Sequence, residues 1–240
     1  MRTAVLLSGQ IRSAGKSFYS INNCLIKNYD ADVFISTWIP TPNLLSGLGQ
    51  YIEDDVGIDK LLELYQPTNI CIEDFNKHEN QNPIPSHKLQ NKHSYDGSWI
   101  DGFNFKTLLY QHYRRQKGFA LIEQHQKLNN FKYDCVIVSR FDVTFKEYPI
   151  IKPEPNKIYI PVGPNADSPI YHHGGIRDLY AMGDFDVMKI YCELYEKLYC
   201  YHDSGYGLHP ESILRTHLEL NQIEVHRFHI SSRIRDREIL

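Results

Sequence analysis

Tyr133-Asp134-Cys135-Val136-Ile137-Val138-Ser139-Arg140-Phe141-Asp142-Val143 carries the strongest structural signal in the chain. The apolar run Cys135 to Val138 ending in a charged tip predicts a buried strand. Strand side chains alternate in direction, so Arg140 and Asp142, two residues apart, project to one side at the strand's carboxyl end. In an open α/β sheet that end is where ligands bind. An ion pair that merely closes the strand would use the same two residues, and the flanking sequence has to weigh one reading against the other.

Upstream, Thr3 to Leu7 forms an apolar run that ends in Ser8-Gly9-Gln10-Ile11-Arg12. Phe18, Ile21 and Leu25 then recur at helical spacing behind Ser13, a residue type suited to an N-cap. The order is strand, polar loop, helix. Gly9 serves either as a turn glycine or as bare backbone for a ligand, a helix amino terminus favours phosphate, and Arg12 adds charge. Asp32 to Ser36 predicts a second buried strand running into Thr37 and Trp38, and that tryptophan suits either a stacked base or sugar or a cap on the core. A helix around Ile58 to Tyr65 and a strand over Asn69 to Glu73 complete a βαβαβ pattern, which implies a mostly parallel sheet with right-handed crossovers. Asn76 to Asp101, rich in Asn, His, Lys, Ser and Pro, is expected to be a long loop with solvated histidines. Phe105, Leu109 and Tyr113 mark one face of a long helix, with Arg114 and Arg115 off that stripe and Gly118 positioned to bend it.

Downstream come proline-rich turns, a strand over Lys157 to Pro161, and Tyr171-His172-His173-Gly174-Gly175-Ile176-Arg177-Asp178. The paired glycines make either a tight turn or a loop lying against a ligand. Val187 to Tyr201 gives the clearest amphipathic helix. His209-Pro210-Glu211 then opens another, with Pro210 at its first position and Glu211 in its first turn. Ile223 to Phe228 predicts a last strand carrying His226, with His229 just beyond it and a basic, loose tail expected from Ser231.

The 240 residues suffice for one α/β domain, and 26 basic against 29 acidic residues give a formal net charge of −3. That balance argues against nucleic acid as a partner. Five scattered cysteines without a CxxC pair read as reduced core residues of a cytoplasmic protein, and no run approaches a transmembrane segment. Neither GxGxxG nor GxxxxGK[ST] is present, so dinucleotide and P-loop sites are unsupported.

The stations SGQIR, FISTW, YDCVIVSRFD and HPE, taken in order over roughly residues 3 to 229, resemble GT-A-type nucleotide-sugar glycosyltransferases. More narrowly they are similar to small glycosyltransferases of large viruses, which would place the protein in a host cytoplasm, and of bacterial surface-polysaccharide clusters. The resemblance implies a GT-A-like, Rossmann-like α/β fold in a single domain, with a nucleotide-binding half over about 1–145 and an acceptor-side half over about 146–230. It implies transfer of a sugar from a nucleotide-sugar donor to a glycan acceptor hydroxyl in glycan biosynthesis. Ser8, Gly9, Gln10, Arg12, Thr37, Trp38, Arg140 and Asp142 would bind the donor, and His173, Gly174, Gly175, Arg177 and Asp178 would form the acceptor-side loop. Glu211 would be the catalytic base, with Asp203 as second candidate. Asp142, His226 and His229 would hold Mn²⁺ or Mg²⁺. In one respect the chain departs from the family: Arg140 stands where the first aspartate of the DxD motif belongs.

The chemistry suits these residue types. A nucleoside diphosphate leaves with growing negative charge, which either a metal on oxygen ligands or Arg12, Arg140 and Arg177 can neutralise. A carboxylate in reach of the acceptor hydroxyl removes its proton, and attack opposite the leaving group would invert the anomeric carbon. Two other classes remain open, a sugar nucleotidyltransferase and a non-catalytic carbohydrate- or nucleotide-binding protein. Asp142, at a strand tip, is expected to be replaceable by alanine without loss of the fold.

Overall fold

The computed structural model describes residues 1–40, 55–84, 105–162, 175–206, 210–230 and 232–234. Both halves of the chain contribute strands to one sheet: β1 (Thr3–Gly9), β2 (Asp32–Trp38), β3 (Asn69–Glu73), β4 (Cys135–Ser139), β6 (Lys157–Pro161), β7 (Tyr180–Gly183) and β8 (Glu224–Phe228). The seven lie in the order β3-β2-β1-β4-β7-β6-β8. Neighbouring strands run parallel except where β7 meets β4 and β6, so β7 alone is reversed. β5 (Val143–Phe145) leaves the main sheet and pairs antiparallel with β9 (Ser232–Ile234). The expected loose tail therefore begins as a strand, and it pairs with the segment directly after Asp142.

Alternation along the strands divides the core. Ala4, Leu6, Val136 and Val138 face one apolar layer, which includes α4 (Phe105–Leu128), α5 (Phe185–Cys192), α6 (Leu194–Asp203) and α7 (Pro210–Leu220). Val5, Leu7, Cys135 and Ile137 face the other, beneath α1 (Ala14–Ile21), its π-helical continuation over Asn22–Lys27, and α2 (Ile58–Tyr65). With helices on both faces, a continuous apolar run is what such strands require. α4 runs unbroken through Gly118. A Cβ there would run into Leu6 Cδ1 and lie 2.9 Å from Ser36 Cβ, so the glycine lets the helix seat directly on β1 and β2.

Other expectations change with packing. Asp74 caps α3 (Phe75–Gln81), its Oδ1 accepting from the Lys77 amide at 2.9 Å, where a loop was predicted; residues 85–101 of that predicted loop lie outside the described residues. His78 is half-buried and packs against Tyr113, with ring centres 4.3 Å apart and the rings tilted by 42°. The helix predicted over Val187 to Tyr201 is two helices that meet at Glu193. Among the cysteines, all free, Cys200 is exposed rather than in the core. No helix among the described residues is long and apolar enough to cross a membrane.

Candidate active site at the carboxyl edge of the sheet

β1, β2 and β4 are parallel and end at one edge, and their register decides which residues gather there. Gly9 pairs with Thr37 across β1 and β2, and Thr37 Oγ1 donates to the Gly9 carbonyl at 2.7 Å. Gly9 has φ of +109°, a conformation glycine adopts without strain. The chain then turns back through Arg12, whose own φ is positive at +32°. On the other side Ser139 pairs with Tyr180 at the start of reversed β7, which brings residues 175–179 to the same edge.

Asp142 is the centre of this edge. It is 2 % exposed and shared by two guanidiniums. Arg140 Nε donates to its Oδ1 at 2.8 Å and Arg140 Nη2 to its Oδ2 at 2.5 Å. Arg12 Nη1 donates to Oδ2 at 3.1 Å, while Arg12 Nε donates to Gln10 Oε1 at 2.6 Å. Burial opposes ionisation of Asp142, but Arg140 and then Arg12 outweigh it and hold the carboxyl below its usual range. For Arg140, burial likewise opposes the charge, and Asp142 overcomes it and raises the pKa.

The residues 175–179 are fastened along their length. The Ile176 amide donates to the Glu211 carbonyl at 3.0 Å and the Arg140 amide to the Leu179 carbonyl at 3.2 Å. Gln111 Nε2 donates to Asp178 Oδ2 at 2.5 Å, and Arg115 Nη2 donates to the Asp178 carbonyl. Gly175 lies against Glu211, because a Cβ on it would come within 2.6 Å of Glu211 Cβ. The half-buried Arg177 guanidinium has its pKa lowered, first by burial; Asp178 and Glu211 oppose the shift and Arg140 adds to it. Arg12, Arg140, Asp142, Arg177, Asp178 and Glu211 thus share one electrostatic neighbourhood.

Several site expectations are corrected. Trp38, 3 % exposed, is stacked on Tyr113 at 5.7 Å and has no face left for a base. The amino terminus of α1 already holds an anion, since Asp55 accepts from the Gly15 amide at 2.9 Å and the Lys16 amide at 2.7 Å. A phosphate there would have to displace it. Asp142, His226 and His229 do not assemble. Asp142 faces two cations, and β8, which bears His226, is separated from β4 by β7 and β6. Among the described residues no group of three or more His, Cys, Asp or Glu side chains is placed to hold a metal ion. The residues present therefore do not fit Mn²⁺ or Mg²⁺ as the sequence suggested. Asp203 ends α6, 3.2 Å from His202 Nδ1. Ser8 is buried within β1. His173 and Gly174 lie outside the described residues.

Two residues of this edge escaped the sequence reading, Gln111 and Arg115. They are four apart and thus on one face of α4, a polar pair whose purpose becomes visible only once Asp178 lies beneath it. Compared with known proteins, the chain matches no family model and none of the curated sequences.

Proposed function

We propose that the protein is a glycosyltransferase of GT-A type that moves a sugar from a nucleotide-sugar donor to a hydroxyl of a glycan acceptor. The observation that carries this reading is the meeting of Arg12, Arg140, Arg177 and Glu211 at the carboxyl edge of parallel strands. Their order along the chain, nucleotide-side loop, strand tip, glycine loop and helix-start carboxylate, supports the GT-A arrangement.

In the proposed reaction the acceptor oxygen attacks the anomeric carbon as its proton passes to a Glu211 carboxylate oxygen. The bond from that carbon to the phosphate oxygen breaks, and its electron pair leaves with the nucleoside diphosphate. Guanidiniums fixed beforehand at the leaving group stabilise that charge without reorganising. Glu211 is held by its helix start and by the close approach of Gly175. No step is routed through a metal.

Glu211→Gln is the direct test. Removing only the base should lower kcat by about 10²–10⁴-fold while thermal-shift titration with nucleoside diphosphates gives unchanged affinity. Loss of nucleotide affinity in this variant would move Glu211 into the donor site, and undiminished turnover would remove it from the chemistry. A wild-type protein that neither binds nor turns over any nucleotide sugar would end the transferase reading.

A further inference from the structure

We infer that Asp178 is the carboxylate with which this protein recognises a sugar hydroxyl, and that Gln111 and Arg115 hold it in place for that contact. That the hydroxyl belongs to a sugar rests on the transferase reading; that Asp178 is set to accept a hydrogen bond rests on its own observations.

The first observation is the segment that carries it, whose main chain is tied to both halves of the protein. Arg227 Nη2 of β8 donates to the Gly175 carbonyl at 3.0 Å. The Ile176 amide donates to the Glu211 carbonyl at 3.0 Å, and the Arg140 amide, just beyond β4, to the Leu179 carbonyl at 3.2 Å. Arg115 Nη2 of α4 donates to the carbonyl of Asp178 itself. The last two bonds set Asp178 between the β4 tip and α4 by direct contact, and a segment anchored in this way is ordered before a ligand arrives.

The second observation is how the carboxylate is held. A carboxylate buried for stability alone is expected in a direct ion pair. Buried Arg115 is next to Asp178, yet its Nη2 serves the main-chain carbonyl and stays 3.9 Å from Oδ2. Oδ2 accepts instead from a neutral group, Gln111 Nε2, at 2.5 Å. Arg115 cannot easily swing closer, since its Nη1 lies 3.5 Å from His112 Nδ1 and its guanidinium lies over the Tyr191 ring at 5.2 Å. Among the described residues no group donates to Oδ1, and the side chain is 10 % exposed. One oxygen is therefore aimed by an amide while the other stays ready to accept.

The third step is the class of ligand. A hard metal ion needs several oxygen ligands, and no such group assembles among the described residues. A cationic ligand would be repelled by Arg115 at 3.9 Å and by Arg177, the preceding residue. A hydroxyl donor is neutral, meets no such repulsion, and gives a short, charge-assisted bond to a carboxylate.

The test uses the full chain and saturation-transfer NMR with a panel of methyl hexosides, each with and without a nucleoside diphosphate. At least one hexoside should bind wild type, and Asp178→Asn, which keeps the shape and removes the anionic oxygen, should weaken it by at least about tenfold. The deoxy hexoside lacking the recognised hydroxyl should bind wild type and Asp178→Asn alike. Gln111→Leu leaves Asp178 in place and removes only the amide that aims it; it should weaken the same hexoside several-fold, which keeps the inference testable if Asp178→Asn does not fold. In turnover, Asp178→Asn should raise KM with kcat unchanged, for the nucleotide sugar if the hydroxyl is on the transferred sugar and for the glycan if it is on the acceptor. A wild type that binds no hexoside, or equal hexoside affinity in wild type and the variants, would overturn the inference. The two readings fail separately. Hexoside binding that depends on Asp178, in a protein that turns over no nucleotide sugar, keeps the hydroxyl site and removes the transferase; turnover with both KM values unchanged in Asp178→Asn does the reverse.

Discussion

Asp142 shows how burial changes the meaning of a motif. As a strand-tip residue it looked replaceable, and in the folded chain it is the shared counter-ion of Arg12 and Arg140. Removing one partner of a buried ion pair leaves the other charge uncompensated, at a cost of about 3–5 kcal/mol. Asp142→Ala is therefore expected to destabilise the fold by about that amount, as a lower urea midpoint at unchanged slope, in addition to any loss of activity. A variant within about 0.5 kcal/mol of wild type would mean that both arginines find other partners. The pairing of Asp142 with Arg140 was legible from their spacing of two. Arg12 was not, because it lies 130 positions away and reaches Asp142 only after β1 and β4 have paired. Trp38 failed for a related reason: its sequence neighbours said aromatic and strand-terminal, and only Tyr113 of a distant helix shows that its face is taken.

At the scale of elements, most strands and the helix over Ile58–Tyr65 were read correctly, and the misreadings include a very short strand and a helix buried on more than one side. β1, β2, β3, β4, β6 and β8 fall where the sequence predicted them; β1, β2 and β4, buried on both faces, are the ones with nearly continuous apolar runs, while edge strands β3 and β8 are only partly buried. β7 is four residues long, too short to show a period. α4 misled because it is buried on more than one side: Arg114 and Arg115 are at most 1 % exposed, so no single stripe describes it. Arg114 instead stacks over Trp38 at 4.7 Å and pairs with Glu73. Gly118 tests the account of how α4 seats on the sheet. By helix propensity alone, Gly118→Ala would stabilise by up to about 1 kcal/mol. The new methyl, however, meets Leu6, which is fully buried, and the strand atom Ser36 Cβ. Overpacking of this kind costs about 1–3 kcal/mol, so the net effect should be destabilising and visible as a fall in Tm. A rise in Tm would show that α4 can lift off β1 and β2 at little cost.

Across the whole molecule, the buried titratable groups set how stability varies with pH. His112 lies fully buried in α4, and burial, with Arg115 and His217 adding to it, pushes its pKa well below the usual value. His217 of α7 is also lowered, chiefly by burial. Its Nε2 lies 2.7 Å from the Ile190 carbonyl and its Nδ1 2.8 Å from the Tyr201 hydroxyl. With Nε2–H donating to the carbonyl and Nδ1 accepting from the hydroxyl, the neutral ring joins α7 to α5 and α6. For both groups the folded pKa lies below the unfolded one, so the unfolded chain binds the extra protons. Their contribution is complete above about pH 6.5 and declines as pH falls below it, each group weakening the fold by up to about 1.4 kcal/mol per pH unit until its own folded pKa is reached. Asp142 acts in a separate window, because its depressed pKa matters only below the ordinary carboxylate value near 3.9. Urea unfolding at intervals from pH 7.5 to 5 should therefore show stability falling with acidification well before carboxylates titrate. His217→Phe should be less stable than wild type at pH 7.5, having lost both hydrogen bonds, yet show a shallower slope, because one proton uptake has been removed from the unfolded side. An unchanged slope in that variant would mean that His217 titrates alike in the folded and unfolded chain, and the buried neutral ring would no longer account for the acid sensitivity.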